Sequence, residues 1–223
     1  MNRSSLFHLL AATIALTQIA TPFYAEDRRR PNIVMLVGDD IDRDTLGPWG
    51  GEAITPHLDQ LAAEGVKFNR CYANVAMCAP FRQELYSGRS PWRTGAMPNH
   101  SQSSPDTKSL PHYLQPLGYR VALLGKSHVG PQQAYPFERR GDIPKKEDAN
   151  PIALERAGKY IVEAKGAGEP FCLVIGAHDG HAPFHTHGDP SIYDAAKLTL
   201  PMDALDTPEY RRELLGNFVE VTH

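Results

Sequence analysis

The stretch Asn32-Ile33-Val34-Met35-Leu36-Val37-Gly38-Asp39-Asp40 decides how the rest of the chain is read. A short continuous apolar run ending in glycine predicts a strand buried on both faces of a parallel sheet. Such a strand delivers Asp39 and Asp40 at its carboxyl end. Working outward, Thr55-Pro56 combines a capping hydroxyl with a proline where no donor is needed, which predicts a helix whose apolar face holds Leu58, Leu61 and Ala62 and which stops at Gly65. Val66 to Ala73 reads as another strand. Pro80 to Leu85 reads as the opening turns of a helix that closes at Gly88. A short helical segment from Ser109 to Gly118, broken at Pro116, precedes the strand Tyr119 to Leu124, and a helix from Pro151 to Ala164 precedes the strand Phe171 to Ile175. Thr207-Pro208 repeats the start signal for a final helix with a stripe of Leu214, Leu215, Phe218 and Val221. This alternation predicts an α/β fold: a mainly parallel sheet with helices on both faces. Residues 131–150 and 182–206, rich in Pro, Gly and charge without periodicity, are expected to be surface excursions near the strand ends.

The chain has 223 residues, 41% of them hydrophobic, enough to bury a core without covalent staples, and its three cysteines cannot all pair. With 23 Lys+Arg against 26 Asp+Glu, the net charge of −3 supplies no basic excess for binding a polynucleotide, so nucleic acid is not an expected partner. Arg3, a mostly apolar run from Leu6 to Ala20, then Pro22 and the charged Glu26 to Arg30 read as an export signal over residues 1–25, with the protein periplasmic or extracellular. That run is interrupted by His8 and Gln18 and is shorter than the roughly 20 residues of a membrane span, so no stable membrane anchor is expected. The last residues, Asn217 to His223, carry no capping glycine or polar tail, and residues 31–223 are expected to be the amino-terminal, truncated portion of a larger domain.

Ligands bind in a parallel sheet outside the carboxyl ends of the strands. Three polar groups follow apolar strands here: Asp39-Asp40, Lys126-Ser127-His128 and His178-Asp179-Gly180-His181. Adjacent carboxylates repel each other unless a cation neutralises them, and oxygen donors suit a hard ion such as Ca²⁺ or Mg²⁺; a turn capped by its own aspartates is the alternative. In Cys78-Ala79-Pro80-Phe81-Arg82 the proline sets Cys78 just before a helix N-terminus, where free amides favour negative charge. Arg82, one turn on, is positioned by this reading to present its fork of donors to the same anion. Taken alone, the segment also admits a structural cysteine.

The C-x-P-x-R segment followed by Gly88-Arg89 resembles the signature of the type I, formylglycine-dependent sulfatases of the alkaline phosphatase superfamily. Pro31-Asn32-Ile33-Val34 leading to Asp39-Asp40, Thr55-Pro56-His57-Leu58-Asp59-Gln60-Leu61-Ala62, Gly125-Lys126-Ser127-His128 and His178-Asp179-Gly180-His181-Ala182-Pro183 occur in that family's order. The resemblance implies a sulfuric ester hydrolase acting on a sulfated small molecule or glycan. It implies that a formylglycine-generating enzyme oxidises Cys78 to formylglycine, whose hydrated aldehyde attacks sulfur, and that Asp39, Asp40 and modified Cys78 bind Ca²⁺, with Mg²⁺ as the other choice. Arg82 then stabilises the aldehyde hydrate. Lys126 contacts sulfate oxygens, His128 takes the proton that lets sulfate leave, and His181 protonates the leaving oxygen. Phe81 stands where the family usually has serine, a departure that bears on the efficiency of the modification or on local substrate contacts. A further metal-binding Asp/Asn pair and a second lysine, usual in the family, are not found in this sequence.

Two other readings compete: a non-catalytic fragment that keeps an anion-binding crevice, and a phosphate ester hydrolase of the same superfamily, against which a cysteine in place of Ser or Thr at position 78 argues. A zinc site at His178, His181, His185 and His187 is disfavoured because no cysteine accompanies the histidines and Pro183 prevents a regular helix from aligning them. His185 and His187 are read as rim residues, and His100 and His112 as surface or capping residues.

Overall fold

The computed structural model describes residues 30–141, 149–178, 180–182, 184 and 188–222, with side chains 149–153 left aside. The expected leader, Asp179, Pro183, His185, His187 and His223 therefore lie outside the described residues. A parallel sheet of four strands forms the centre, in the order β1 (Ile33–Val37), β4 (Phe171–Gly176), β2 (Arg120–Gly125), β3 (Glu138–Arg139). Ile33 pairs with Cys172 and Val37 with Gly176, while Arg120 pairs with Phe171 and Gly125 with Gly176. Three strands thus end on one level. The residues that follow them, Gly38-Asp39, Lys126 and Ala177-His178, emerge side by side; the Lys126 N–H donates to Gly176 O at 2.9 Å and the Ala177 N–H to Val37 O at 2.9 Å.

Because successive side chains alternate across a sheet, β2 and β4 feed two cores. Val121, Leu123, Cys172 and Val174 face one side with Val37, Tyr86, Tyr135 and Phe137; Ala122, Leu124, Phe171 and Leu173 face the other with Ala157, Tyr160 and Ala164. The helix α5 (Ala149–Gly166) covers the second face, and α2 (Cys78–Ser87) and α4 (Leu110–Leu114) the first, so helices flank both faces as expected. The helices α1 (Pro56–Glu64), α3 (Pro91–Thr94) and α6 (Pro208–Thr222) complete the set; α6 packs Phe218 against Ala53 and Leu198. His112 is a capping residue, its Nδ1 accepting the Ser109 N–H at 3.2 Å.

Four expectations change. β1 is buried on one face only: it turns Ile33, Met35 and Val37 inward, while the core on the other face draws on β2 and β4 but not β1 and leaves Val34 and Leu36 outward, Leu36 66% exposed. Val66 to Ala73 forms no strand. Its backbone pairs with none of the described strands, and Phe68 is 70% exposed. The excursion beginning at residue 131 carries Ala134, Tyr135 and Phe137 into the first core, because the short β3 pulls it against β2. Helix α2 starts at Cys78 rather than near Pro80, with Met77 as its N-cap, so Pro80 occupies the first turn where its missing N–H costs nothing.

Leu123 is 1% exposed between β-strands and helices, whereas Leu154 on α5 is 73% exposed. Leu123→Ala is expected to lower unfolding stability by about 3 kcal/mol, and Leu154→Ala to stay within about 0.5 kcal/mol, both read by urea unfolding. Equal effects would contradict this core assignment.

Candidate active site

Helix α2 carries an unusual buried face. Ala79, Arg82, Gln83, Tyr86 and Ser87 recur at helical spacing, and two of these are strongly polar. A buried polar group is costly unless paired, and both find partners. Arg82, 1% exposed, donates from Nη2 to Gly38 O at 3.1 Å and from Nη1 to Lys126 O at 3.3 Å, and its Nη2 lies 3.5 Å from Asp39 Oδ1. Lys126 forms a close ion pair with the other oxygen of Asp39. One buried carboxylate therefore sits between two buried cations at the ends of β1 and β2. The expectation that Arg82 opens its fork to an incoming anion is corrected: that fork is spent on two carbonyls and Asp39. Gly176 makes room for it, since a Cβ there would lie 2.3 Å from Lys126 O and 2.9 Å from Arg82 Nη1.

Gln83 binds the other side of α2. Its Nε2 donates to Ser101 O at 2.9 Å, and its Oε1 accepts from the Ser103 N–H at 2.8 Å and the Ser103 hydroxyl at 2.9 Å. Tyr135 closes the network, its hydroxyl donating to Gln83 O at 3.2 Å. The loop around Asn99 is thereby tied to the helix that carries Cys78.

Cys78 occupies the first position of α2, where free amides and the helix dipole favour an anion. Its thiol donates to Asn99 Oδ1 at 3.6 Å, and His128 Nδ1 lies 3.3 Å from Sγ. His128 is held in a left-handed conformation, φ 45°, and His100 in another, φ 63°; their rings meet edge to face with centroids 5.5 Å apart. Partial burial, then the positive charges of Lys126, His100 and Arg82, lower the His128 pKa, with Asp39 opposing them. The ring is the uncharged base at neutral pH.

Asp40 also has a positive φ, 51°, and its exposed carboxylate lies beside His181, whose Nε2 is 3.7 Å from Oδ2. His181 Nδ1 donates to Ala182 O at 2.6 Å, leaving Nε2 as the nitrogen that exchanges a proton. The His181 loop is fixed by Gly180, whose N–H donates to Glu220 Oε2 at 3.0 Å and whose missing side chain lets it approach Asp39 O. Among the described residues no three His, Cys, Asp or Glu side chains converge as a metal cluster. Asp39 and Asp40 nevertheless offer hard oxygen donors on adjacent residues, which suits two of the ligands of a Ca²⁺ or Mg²⁺ ion.

The structure thus gathers Asp39, Cys78, Arg82, Lys126 and His128 in one linked set, with Asp40 and His181 as a second pair beginning at the residue after Asp39. Sequence reading missed Gln83, Asn99 and Gly176; His100 is exposed as expected, but its contact with His128 was not foreseen. Gln83 has a faint signal in retrospect, as a polar residue at the apolar spacing Ala79, Gln83, Tyr86.

A parallel sheet flanked by helices, with polar residues beyond its strand ends, is an α/β arrangement with a ligand crevice at that end, and the sulfatase family match assigns the chain to the alkaline phosphatase superfamily. The family model described as Sulfatase matches residues 31–203, and the chain belongs to the sulfatase family. It is 34% identical over 168 residues to an ulvan-active sulfatase of Formosa agariphila, covering 74% of this chain and 33% of that protein. It is 28% identical to the N-sulphoglucosamine sulphohydrolase of Homo sapiens, covering 87% and 45%. A solved structure of a protein in complex with its substrate D-glucosamine-2-N,6-O-disulfate matches with a TM-score of 0.62 and 27% identity, over 73% of this chain and 36% of that one. The phosphonate monoester hydrolase of Silicibacter pomeroyi, at 15% identity, shares the fold with a TM-score of 0.70 over 86% and 56%. The chain spans a third of the length of the first relative and under half of the second. No helix among the described residues is long and apolar enough to cross a membrane.

Gly176→Ala is expected to push Arg82 off its two carbonyls and to cost about 2 kcal/mol of unfolding free energy, measured by urea denaturation. An unchanged midpoint would contradict the packing of Arg82 against Gly176.

Proposed function

We propose that the protein is the amino-terminal part of an exported sulfatase that hydrolyses a sulfate ester on a carbohydrate, with residues 1–25 as its signal peptide and residues 31–223 as the first portion of its catalytic domain. The observation that carries this reading is the linked set of Cys78, His128, Arg82, Asp39 and Lys126 at one end of the sheet. The carbohydrate substrate is supported by relatives named for ulvan and N-acetylglucosamine-6-O-sulfate chemistry and by the solved complex with a glucosamine disulfate.

In this reading a formylglycine-generating enzyme converts Cys78, the aldehyde hydrate supplies the nucleophilic hydroxyl, and Ca²⁺ or Mg²⁺ held by Asp39, Asp40 and modified Cys78 supplies positive charge for the anionic ester. The chain's own side chains do the remainder. His128, uncharged at neutral pH and within reach of residue 78, accepts a proton from that residue. Arg82 and Lys126 keep the floor of the site cationic. Asp39 would be one of the residues holding the metal, and Lys126, which now pairs with it, would contact a sulfate oxygen. His181 gives a proton from Nε2 to the leaving sugar oxygen, and Asp40 Oδ2, 3.7 Å from that nitrogen, orients the ring.

The test is the mass of the peptide holding Cys78 after coexpression of the full reading frame with a formylglycine-generating enzyme. Conversion to the aldehyde is expected, and so is loss of sulfate release from a sulfated sugar by at least about a thousandfold in Cys78→Ala. An unconverted thiol in a protein that still releases sulfate, or turnover that survives Cys78→Ala, would overturn the reading.

A further inference from the structure

His100 has no role in the scheme above, yet the structure brings it to residue 78. The loop that carries it is fastened from beneath by Gln83, one helical turn from Cys78, through bonds to Ser101 and Ser103. Asn99 fastens it again at the rim: its Oδ1 accepts the Cys78 thiol at 3.6 Å and the His100 N–H at 3.0 Å. Held at both points, His100 adopts φ 63°, a conformation that costs a non-glycine residue free energy and persists where the surroundings impose it. What that conformation achieves is contact. The His100 ring meets the His128 ring at 77° with centroids 5.5 Å apart, the edge-to-face geometry in which aromatic rings attract.

His128 needs such a neighbour. It also sits at positive φ, 45°, on the segment after β2, and its residue is exposed to solvent. An exposed imidazole rotates freely about its side-chain bonds unless something packs against it. The contacts that aim Nδ1 at Cys78 are the 3.3 Å approach to the sulfur itself and the ring of His100.

We infer that His100 is a positioning residue that holds the His128 imidazole with Nδ1 directed at the group on residue 78. Its place in sulfate release rests on the sulfatase reading. The geometry behind it does not, and the test uses the unconverted chain, in which residue 78 is a thiol. An imidazole aimed at a thiol accepts its proton and speeds alkylation. The rate of Cys78 labelling by iodoacetamide, resolved by peptide mass, therefore reads the aim of His128.

His100→Gly removes the ring while glycine accepts the left-handed backbone without strain. It is expected to slow Cys78 labelling by about threefold to tenfold, and His128→Ala to slow it at least as much. His100→Phe restores an edge-to-face ring without an imidazole, and it is expected to keep the rate within about twofold of the parent. The buried Cys172, its thiol pKa pushed up to about 11 by burial, serves as the folding control and stays unlabelled, whereas the exposed Cys71 labels at one rate throughout. Unchanged or faster Cys78 labelling in His100→Gly would overturn the inference, and so would failure of His100→Phe to restore the rate while Cys172 stays protected. Absent conversion of Cys78 would instead count against the sulfatase reading and leave these rates as they are.

Discussion

A single buried carboxylate, Asp39, shared between two buried cations, holds this end of the molecule together. Asp39 and Lys126 are each 4% exposed and Arg82 1%, so none of the three has much water to fall back on. Removing one member leaves an uncompensated charge, which is why breaking such a group costs far more than an exposed ion pair. The group also joins three separate elements. Asp39 follows β1, Lys126 follows β2, and Arg82 reaches both from α2 while sitting one turn above Cys78. The charge arrangement and the position of residue 78 are therefore one structural fact.

The parallel register explains how so few residues suffice. Val37, Gly176 and Gly125 lie on a level, so each following loop starts from the same plane, and the backbone bonds from Lys126 to Gly176 and from Ala177 to Val37 keep the loops abreast. Glycine is needed at two of these places for space: Gly176 clears Arg82, and Gly180 lets the His181 loop close onto Asp39. Positive φ at Asp40 and His128 then aims side chains that a regular strand exit would point elsewhere. Within the buried group itself, two cations against one carboxylate leave a net positive charge close to the N-terminus of α2.

Much of this was legible in the sequence because it is local. Apolar runs marked β1, β2 and β4, hydroxyl-proline pairs marked α1 and α6, and the polar residues after the strands gave the positions of Asp39, Lys126, His128 and His181. What stayed hidden depends on neighbours. An apolar run does not show which face a helix will cover, so the outward turn of Val34 and Leu36 was invisible. Val66 to Ala73 has strand-like residues without a partner to pair with, and Tyr135 and Phe137 lie in a Pro- and Gly-rich stretch that reads as surface. Gln83 is a polar residue whose value comes from Ser101, Ser103 and Tyr135, and His100 becomes informative only once the fold sets it against His128. Arg82 was read as open to a ligand, whereas its guanidinium is hydrogen-bonded to the carbonyls of Gly38 and Lys126, which nothing local announces.

Asp39 and Lys126 act as one buried unit, a dependence that a double-mutant cycle measures. Unfolding free energies of the parent, Asp39→Asn, Lys126→Met and the double variant, taken from urea transitions, should show a coupling of about 3 kcal/mol, with the double variant less destabilised than the sum of the single ones. Additivity within about 0.5 kcal/mol would mean that the two side chains do not depend on each other, and the account of how residue 78 is held would be wrong.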